Sequence, residues 1–157
     1  MEIRSAVSED KPVLLDIWLK SVRATHQFLT EEDIEFFLPL VRDHALEQLE
    51  LWILLSDEET PMGWMGLSDS KLEAIFLDPS YFRQGGGRQL IEHARRLKGP
   101  LLVDVNEQNQ QALKFYESLG FVVCGRSETD SSGRAFPLLH LREVRQDNIE
   151  RDASANQ

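Results

Sequence analysis

The chain has 157 residues, 41% of them apolar and 28% charged, with a formal net charge of −10. That length suits one globular domain with a real core, and the negative charge argues against nucleic acid as a partner. The single cysteine, Cys124, excludes an internal disulfide, and no Cys/His cluster has metal-ligand spacing, so no metal is expected.

Met1-Glu2-Ile3-Arg4 runs straight into structured sequence without a signal peptide, and no apolar run is long enough for a bilayer, so the expectation is a cytoplasmic protein. A first strand is expected over Ile3 to Ala6, then a helix capped by Ser8, with Val13, Leu14, Ile17, Trp18 and Val22 as its apolar stripe. Thr25-His26-Gln27-Phe28-Leu29 breaks that helix. Thr30 caps a second one, with Ile34, Phe37, Leu38 and Val41 facing inward and Pro39 expected to kink or end it. A third helical piece is expected from Asp43 to Leu49.

Leu51 to Leu55, Met62 to Ser68 and Lys71 to Leu77 are apolar runs joined by short polar turns, the pattern of an antiparallel meander. Asp78-Pro79 closes the third run. Tyr81-Phe82-Arg83-Gln84-Gly85-Gly86-Gly87-Arg88-Gln89 then leads into a helix with Leu90, Ile91, Ala94 and Leu97 at helical spacing. Glycines ahead of a helix leave backbone N–H groups uncovered, and the helix dipole adds positive potential there, so the stretch reads either as a phosphate or pyrophosphate site or as a plain strand-to-helix turn. A Walker loop is excluded because Arg88-Gln89 follows Gly87, and a dinucleotide fingerprint because Leu90 stands at its third glycine.

Gly99-Pro100 stops the helix, and Leu101 to Val105 reads as a buried strand reached by a helical crossover. Gln110 to Leu119 is a helix closed by Gly120, and Phe121 to Arg126 and Phe136 to Leu141 are two more strands. Cys124, within Val122-Val123-Cys124, is expected to be a buried small residue. The domain is expected to span 1–145, with a disordered polar tail over 146–157. Charge is uneven: residues 31 to 59 carry ten acidic side chains against one basic, while residues 82 to 98 carry five basic against one acidic. The acidic stretch reads either as a solvated face or as a funnel for a cationic substrate.

Two segments together resemble one family. Asn109, Ala112, Phe115, Tyr116, Gly120 and Phe121 match the N-x-x-A-x-x-F-Y-x-x-x-G-F segment of the GNAT acetyltransferase superfamily, and Gly85 and Gly87 fall in register with its R/Q-x-x-G-x-G/A loop. The likeness covers residues 1 to about 142 and is closest to one bacterial branch of the superfamily, through Val105 to Phe121, Gly125 to Glu128, Pro137 to Leu139 and the Thr25-His26-x-Phe28-Leu29 stretch. Where the family usually has Arg or Gln at the start of its loop, this chain has Phe82, with Arg83 next.

The resemblance implies an α/β (α+β) fold: a mixed, mostly antiparallel sheet of about seven strands with helices on both faces. In such a fold Lys71 to Leu77 and Leu101 to Val105 form a splayed parallel pair that admits acetyl-CoA. It implies direct acetyl transfer from acetyl-CoA, as cosubstrate, to an amine, either a small cationic metabolite or an exposed amino group. The alternatives are a protein lysine acetyltransferase or a CoA-binding sensor. Ile75, Phe76 and Leu77 would pair with the pantetheine arm; Arg83, Gln84, Gly85, Gly86, Gly87 and Arg88 would hold the pyrophosphate; and Asn109 would cap its helix and touch the cofactor. Tyr116 would protonate the leaving thiolate. Only about one alkyl amine in 2,500 is neutral at pH 7, so a base is needed. Glu73 and His26 are the candidates, with Phe28 beside His26 in the acceptor-binding break. A monomer or homodimer is expected.

Overall fold

The computed structural model describes residues 1–144, so the tail expected over 146–157 lies outside the described residues. The chain divides into two compact units, Met1–Leu97 and the part from Lys98 onward.

The first unit begins with β1 (Glu2–Ser5), a short 3-10 turn over Ser8–Asp10, and α1 (Lys11–Thr25). The expected Ser8 cap is replaced. Asp10 reaches back to accept the Val7 N–H at 2.8 Å while Arg4 donates to the same carboxylate at 2.8 and 3.1 Å, so Ser8 lies inside the turn. This pair holds the Asp10 carboxyl below its usual range, chiefly through the Arg4 hydrogen bond. Thr30 caps α2 (Glu31–Leu40) as expected: it accepts the Asp33 N–H at 3.1 Å and donates its own N–H to Asp33 at 2.9 Å.

As expected at Pro39, α2 ends one residue later, at Leu40. The chain passes through a π-turn over Val41–Ala45 into α3 (Leu46–Gln48). Proline has no N–H for the carbonyl four residues back, so the regular helix gives way to a wider turn.

The meander follows: β2 (Glu50–Leu55), β3 (Pro61–Ser68) and β4 (Lys71–Leu77), with strand order β1-β2-β3-β4 and every pairing antiparallel. Leu14, Ile17, Trp18 and Val22 of α1 pack with Ile34, Ile53, Leu55 and Trp64 as the core of this unit. A 3-10 turn at Pro79–Tyr81 then leads to α4 (Gly86–Lys98), whose Leu90, Ile91 and Ala94 are buried.

The second unit holds β5 (Leu102–Asn106), α5 (Gln110–Ser118), β6 (Phe121–Ser127) and β7 (Leu138–Glu143). β7 lies between β5 and β6 and is antiparallel to both. Leu101, Val103, Val105, Tyr116, Phe121 and Leu141 are its buried apolar residues. β7 starts two residues later than expected because Phe136 donates its N–H to Arg134 within the preceding turn and Pro137 has none to give.

Cys124 is exposed, not buried, and Val122 and Val123 are exposed with it. Their strand is at one end of the β5-β7-β6 set, and the register jumps between Val123 and Gly125, so Cys124 is the extra residue of a bulge. Among the described residues no helix is long and apolar enough to cross a membrane.

Candidate active site

The glycine turn is built by its backbone. Arg83 and Gly85 both have left-handed φ, 63° and 84°. Such a value is uncommon for an arginine and costs about 1–2 kcal/mol relative to the right-handed region. Nothing lies within 4 Å of where a Cβ on Gly85 would sit, so this glycine is required by conformation and leaves an open surface. Gly86 opens α4, and a Cβ there would come within 2.9 Å of Leu54 and 3.2 Å of Leu77. That glycine lets the helix start press against β2 and β4. The first bond of the helix runs from Gln89 N–H to Gly85 O at 3.0 Å, so the amides of Gly86, Gly87 and Arg88 have no intrahelical acceptor. Gln84 only brushes the Ser80 carbonyl, at 3.5 Å. Open space, uncovered amides and two arginines fit a pyrophosphate group.

β4 delivers the chain to this turn. Trp64 pairs with Phe76 and Met65 with Ile75, but the register slips between Gly66 and Leu67, which leaves Glu73 as the unpaired residue of a second bulge. A bulge re-aims the side chain it carries. The Glu73 carboxylate is about one-third exposed and lies 3.6 Å from Lys71 Nζ. Ile75, Phe76 and Leu77 are half-buried, with the Phe76 and Trp64 rings 5.4 Å apart.

His26 stands at the C-cap of α1, its ring 5.4 Å from that of Phe28. Thr25 Oγ donates to the Ser21 carbonyl at 2.8 Å and also contacts His26 Nδ1 at 2.8 Å. A hydroxyl has one proton, and this one goes to Ser21. Thr25 therefore accepts from Nδ1–H, and Nε2 is the basic nitrogen. Burial holds the His26 pKa below its ordinary value, which favours the neutral ring.

In the second unit Asn109 accepts the Ala112 N–H at 3.1 Å and caps α5. Tyr116 is 5% exposed, with ring centroids 5.3 Å from Phe115 and 5.4 Å from Phe121. Burial raises its phenol well above the ordinary value.

Comparison with known proteins decides the family. The family model of the acetyltransferase (GNAT) domain matches residues 47–123. The chain is 42% identical over 141 residues to the peptidyl-lysine N-acetyltransferase YjaB of Salmonella typhimurium, covering 90% of this chain and 97% of that protein. The chain belongs to the GNAT acetyltransferase family. It is an N-acetyltransferase of that family, and its resemblance to one bacterial branch is a resemblance to YjaB. The solution structure of apo YjaB from Escherichia coli superimposes with a TM-score of 0.84 at 42% identity, covering 91% of this chain and 97% of that one. The PaiA N-acetyltransferase of Thermoplasma acidophilum, solved in complex with coenzyme A, shares the fold at a TM-score of 0.76 and 20% identity, covering 92% of this chain and 98% of that one. The α/β fold expected from the sequence is therefore the fold of the chain.

The residues expected at the site of this GNAT enzyme fall into two groups. His26, Phe28, Glu73, Ile75 to Leu77 and Arg83 to Arg88 belong to the first unit, Asn109 and Tyr116 to the second. Sequence reasoning missed the left-handed Arg83 and the Glu73 bulge. It also missed a depression of about 480 Å³ lined by Lys20, Arg23, Ala24, Asp78, Pro79 and Ser80. Lys20 and Arg23 there are held by Asp16 at 2.8 Å and Glu31 at 2.9 Å, and an i,i+4 Asp/Lys pair was legible in the sequence. Several carboxylates of the 31–59 stretch are engaged: Glu31 with Arg23, Asp43 with Arg42, Glu47 with Lys11, and Glu50 with the Trp52 indole.

Proposed function

We propose that this enzyme transfers the acetyl group of acetyl-CoA directly to an amine, and that the amine is a lysine side chain of a protein or peptide. The observation that carries the cofactor half is the glycine turn, with left-handed Arg83 and Gly85 leading into the uncovered start of a helix of 13 residues. The acceptor half rests on the name of YjaB, a peptidyl-lysine N-acetyltransferase 42% identical to this chain.

In this reading the backbone of Gly85 to Gly87 and the side chains of Arg83, Gln84 and Arg88 hold the pyrophosphate. Ile75 to Leu77 offer main-chain bonds to the pantetheine arm, and an N–H at Phe76 or Leu77 stabilises the developing oxyanion. The amine nitrogen bonds to the carbonyl carbon, the C–S bond breaks as Tyr116 gives its proton to the sulfur, and the second proton shed by the acylated nitrogen returns to the Tyr116 phenolate. A phenol raised by burial is a weaker acid than in water. The same dry surroundings raise the thiol, so the transfer stays near balance. Neutral His26 takes the ammonium proton at Nε2 before attack. Glu73, on its bulge and beside Lys71, is the other candidate for this role. The acidic side chains of 31 to 59 steer the cationic lysine from a distance, since a dense acidic patch at the reaction point would hold it protonated.

The test is calorimetric titration of acetyl-CoA, followed by thiol release with a lysine peptide and with a small diamine. Saturable binding and faster release with the peptide are expected. Binding with release only from the diamine would turn the acceptor assignment to small amines. No binding would overturn the site.

A further inference from the structure

One cluster in the second unit plays no part in that chemistry. His140 Nδ1 lies 2.7 Å from Asp104 Oδ1, and His140 Nε2 lies 2.6 Å from Ser127 Oγ. The three side chains come from three strands. Asp104 of β5 stands directly opposite His140 of β7, and Gly125 of β6 stands opposite His140 on the other side. Ser127, two residues along from Gly125, shares its face of the strand. Gly125 keeps the flank of the ring open, since a Cβ there would already sit 3.4 Å from the ring carbon Cδ2.

The wiring has a direction. An ionised Asp104 only accepts, so His140 Nδ1 carries the proton and Nε2 the lone pair. Ser127 Oγ–H then donates to Nε2. A carboxylate orients the imidazole, and the imidazole accepts the hydroxyl proton. This is the order in which a serine is made nucleophilic. A mere structural clasp does not need it. The His140 and Asp104 side chains are 35% and 25% exposed, so water could satisfy them as well as one another. The three lie on the face away from buried Val103, Val105 and Leu141, where solutes can reach them.

We infer that Ser127 is an activated nucleophile that accepts an acyl group from thioesters and activated esters, with His140 as its base and Asp104 as the residue that positions His140. The Ser127 Oγ–carbonyl carbon bond forms as the hydroxyl proton passes to His140 Nε2. The bond to the leaving thiolate or phenolate breaks, and that group takes the proton. Water, deprotonated by the same nitrogen, then releases the carboxylic acid and restores Ser127.

The probe is p-nitrophenyl acetate with the full chain, read as p-nitrophenolate release and as an acetyl mass increment on the peptide bearing Ser127. It needs neither CoA nor an amine, so its outcome is independent of the transferase reading. A burst with an adduct on Ser127 is expected. Ser127→Ala, which removes one oxygen from a partly exposed site, should abolish both while the thermal midpoint stays put. His140→Asn should slow acylation by about 10²-fold or more, the usual worth of a general base. Asp104→Asn should slow it as well, with Ser127 still acylated at high pH. No adduct on Ser127 in the wild-type chain overturns the proposal, as does equal acylation in Ser127→Ala or His140→Asn. Variants that shift only the thermal midpoint would reduce the cluster to a clasp between strands.

Discussion

The start of α4 and the middle of α5 carry the two halves of the proposed chemistry, and they are built in opposite ways. The start of α4 uses backbone: left-handed Arg83 and Gly85, a Gly86 pressed against Leu54 and Leu77, and amides without acceptors. The middle of α5 uses a side chain: Tyr116, enclosed by Phe115 and Phe121, with its phenol raised by burial. A backbone site tolerates exchange of its neighbours and fails when its conformation changes. A side-chain site tolerates small changes of conformation and fails when one atom is lost. The contrast predicts which kind of substitution hurts where.

The largest expected effect is at the side chain. Tyr116→Phe keeps the ring contacts and removes only the proton donor. Turnover should fall by about 10²-fold or more, with acetyl-CoA affinity and thermal midpoint nearly unchanged. Unaltered turnover, measured by thiol release, would strip Tyr116 of its role and leave it an aromatic core residue. Next is Gly86→Val. Its new carbon atoms meet Leu54 and Leu77 at distances shorter than side chains accept, so stability in denaturant titration should drop by about 1–3 kcal/mol. If stability holds, the helix start is looser than its packing implies.

His26 tests whether the first unit supplies a base as well as a cradle. Its folded pKa is depressed by burial below the ordinary value of 6.5. Below that value the unfolded chain takes up a proton that the folded chain resists. Its contribution to stability is therefore whole above pH 6.5 and is lost as the pH falls through the folded value. His26→Gln should flatten the slope of stability against pH in this window. An unchanged slope would show that His26 is wet and titrates alike in both states.

The start of α4 was legible in the sequence because what it needs is local. A run of glycines before an apolar-periodic stretch states its own geometry, as Thr30 and Asn109 do for the caps of α2 and α5. Tyr116 became a candidate through its motif, since by pattern alone it is one more aromatic beside Phe115. What the sequence hid depends on partner strands. The bulges at Glu73 and Cys124 are register slips against β3 and β7, and the apolar run Val122-Val123-Cys124 reads as buried although it lies on an outer strand of its set. Asp104, His140 and Ser127 are separated by 36 and 13 positions and meet only once β7 lies between β5 and β6.

The smallest expected effect is the one that separates conformation from charge at the turn. Arg83 is held at a left-handed φ of 63°, where an arginine is strained and a glycine is not. Arg83→Gly should therefore stabilise the chain by up to about 1 kcal/mol, offset in part by the greater freedom of glycine when unfolded. If the guanidinium contacts the pyrophosphate, the same variant should bind acetyl-CoA more weakly by about tenfold or more, the worth of one charge-assisted contact. Stability and affinity would then move in opposite directions. A turn that served only to join β4 to α4 would gain stability and lose no affinity. Strain kept at a loop without a ligand would then lack a reason, and the cradle would rest on the amides of Gly86, Gly87 and Arg88 alone.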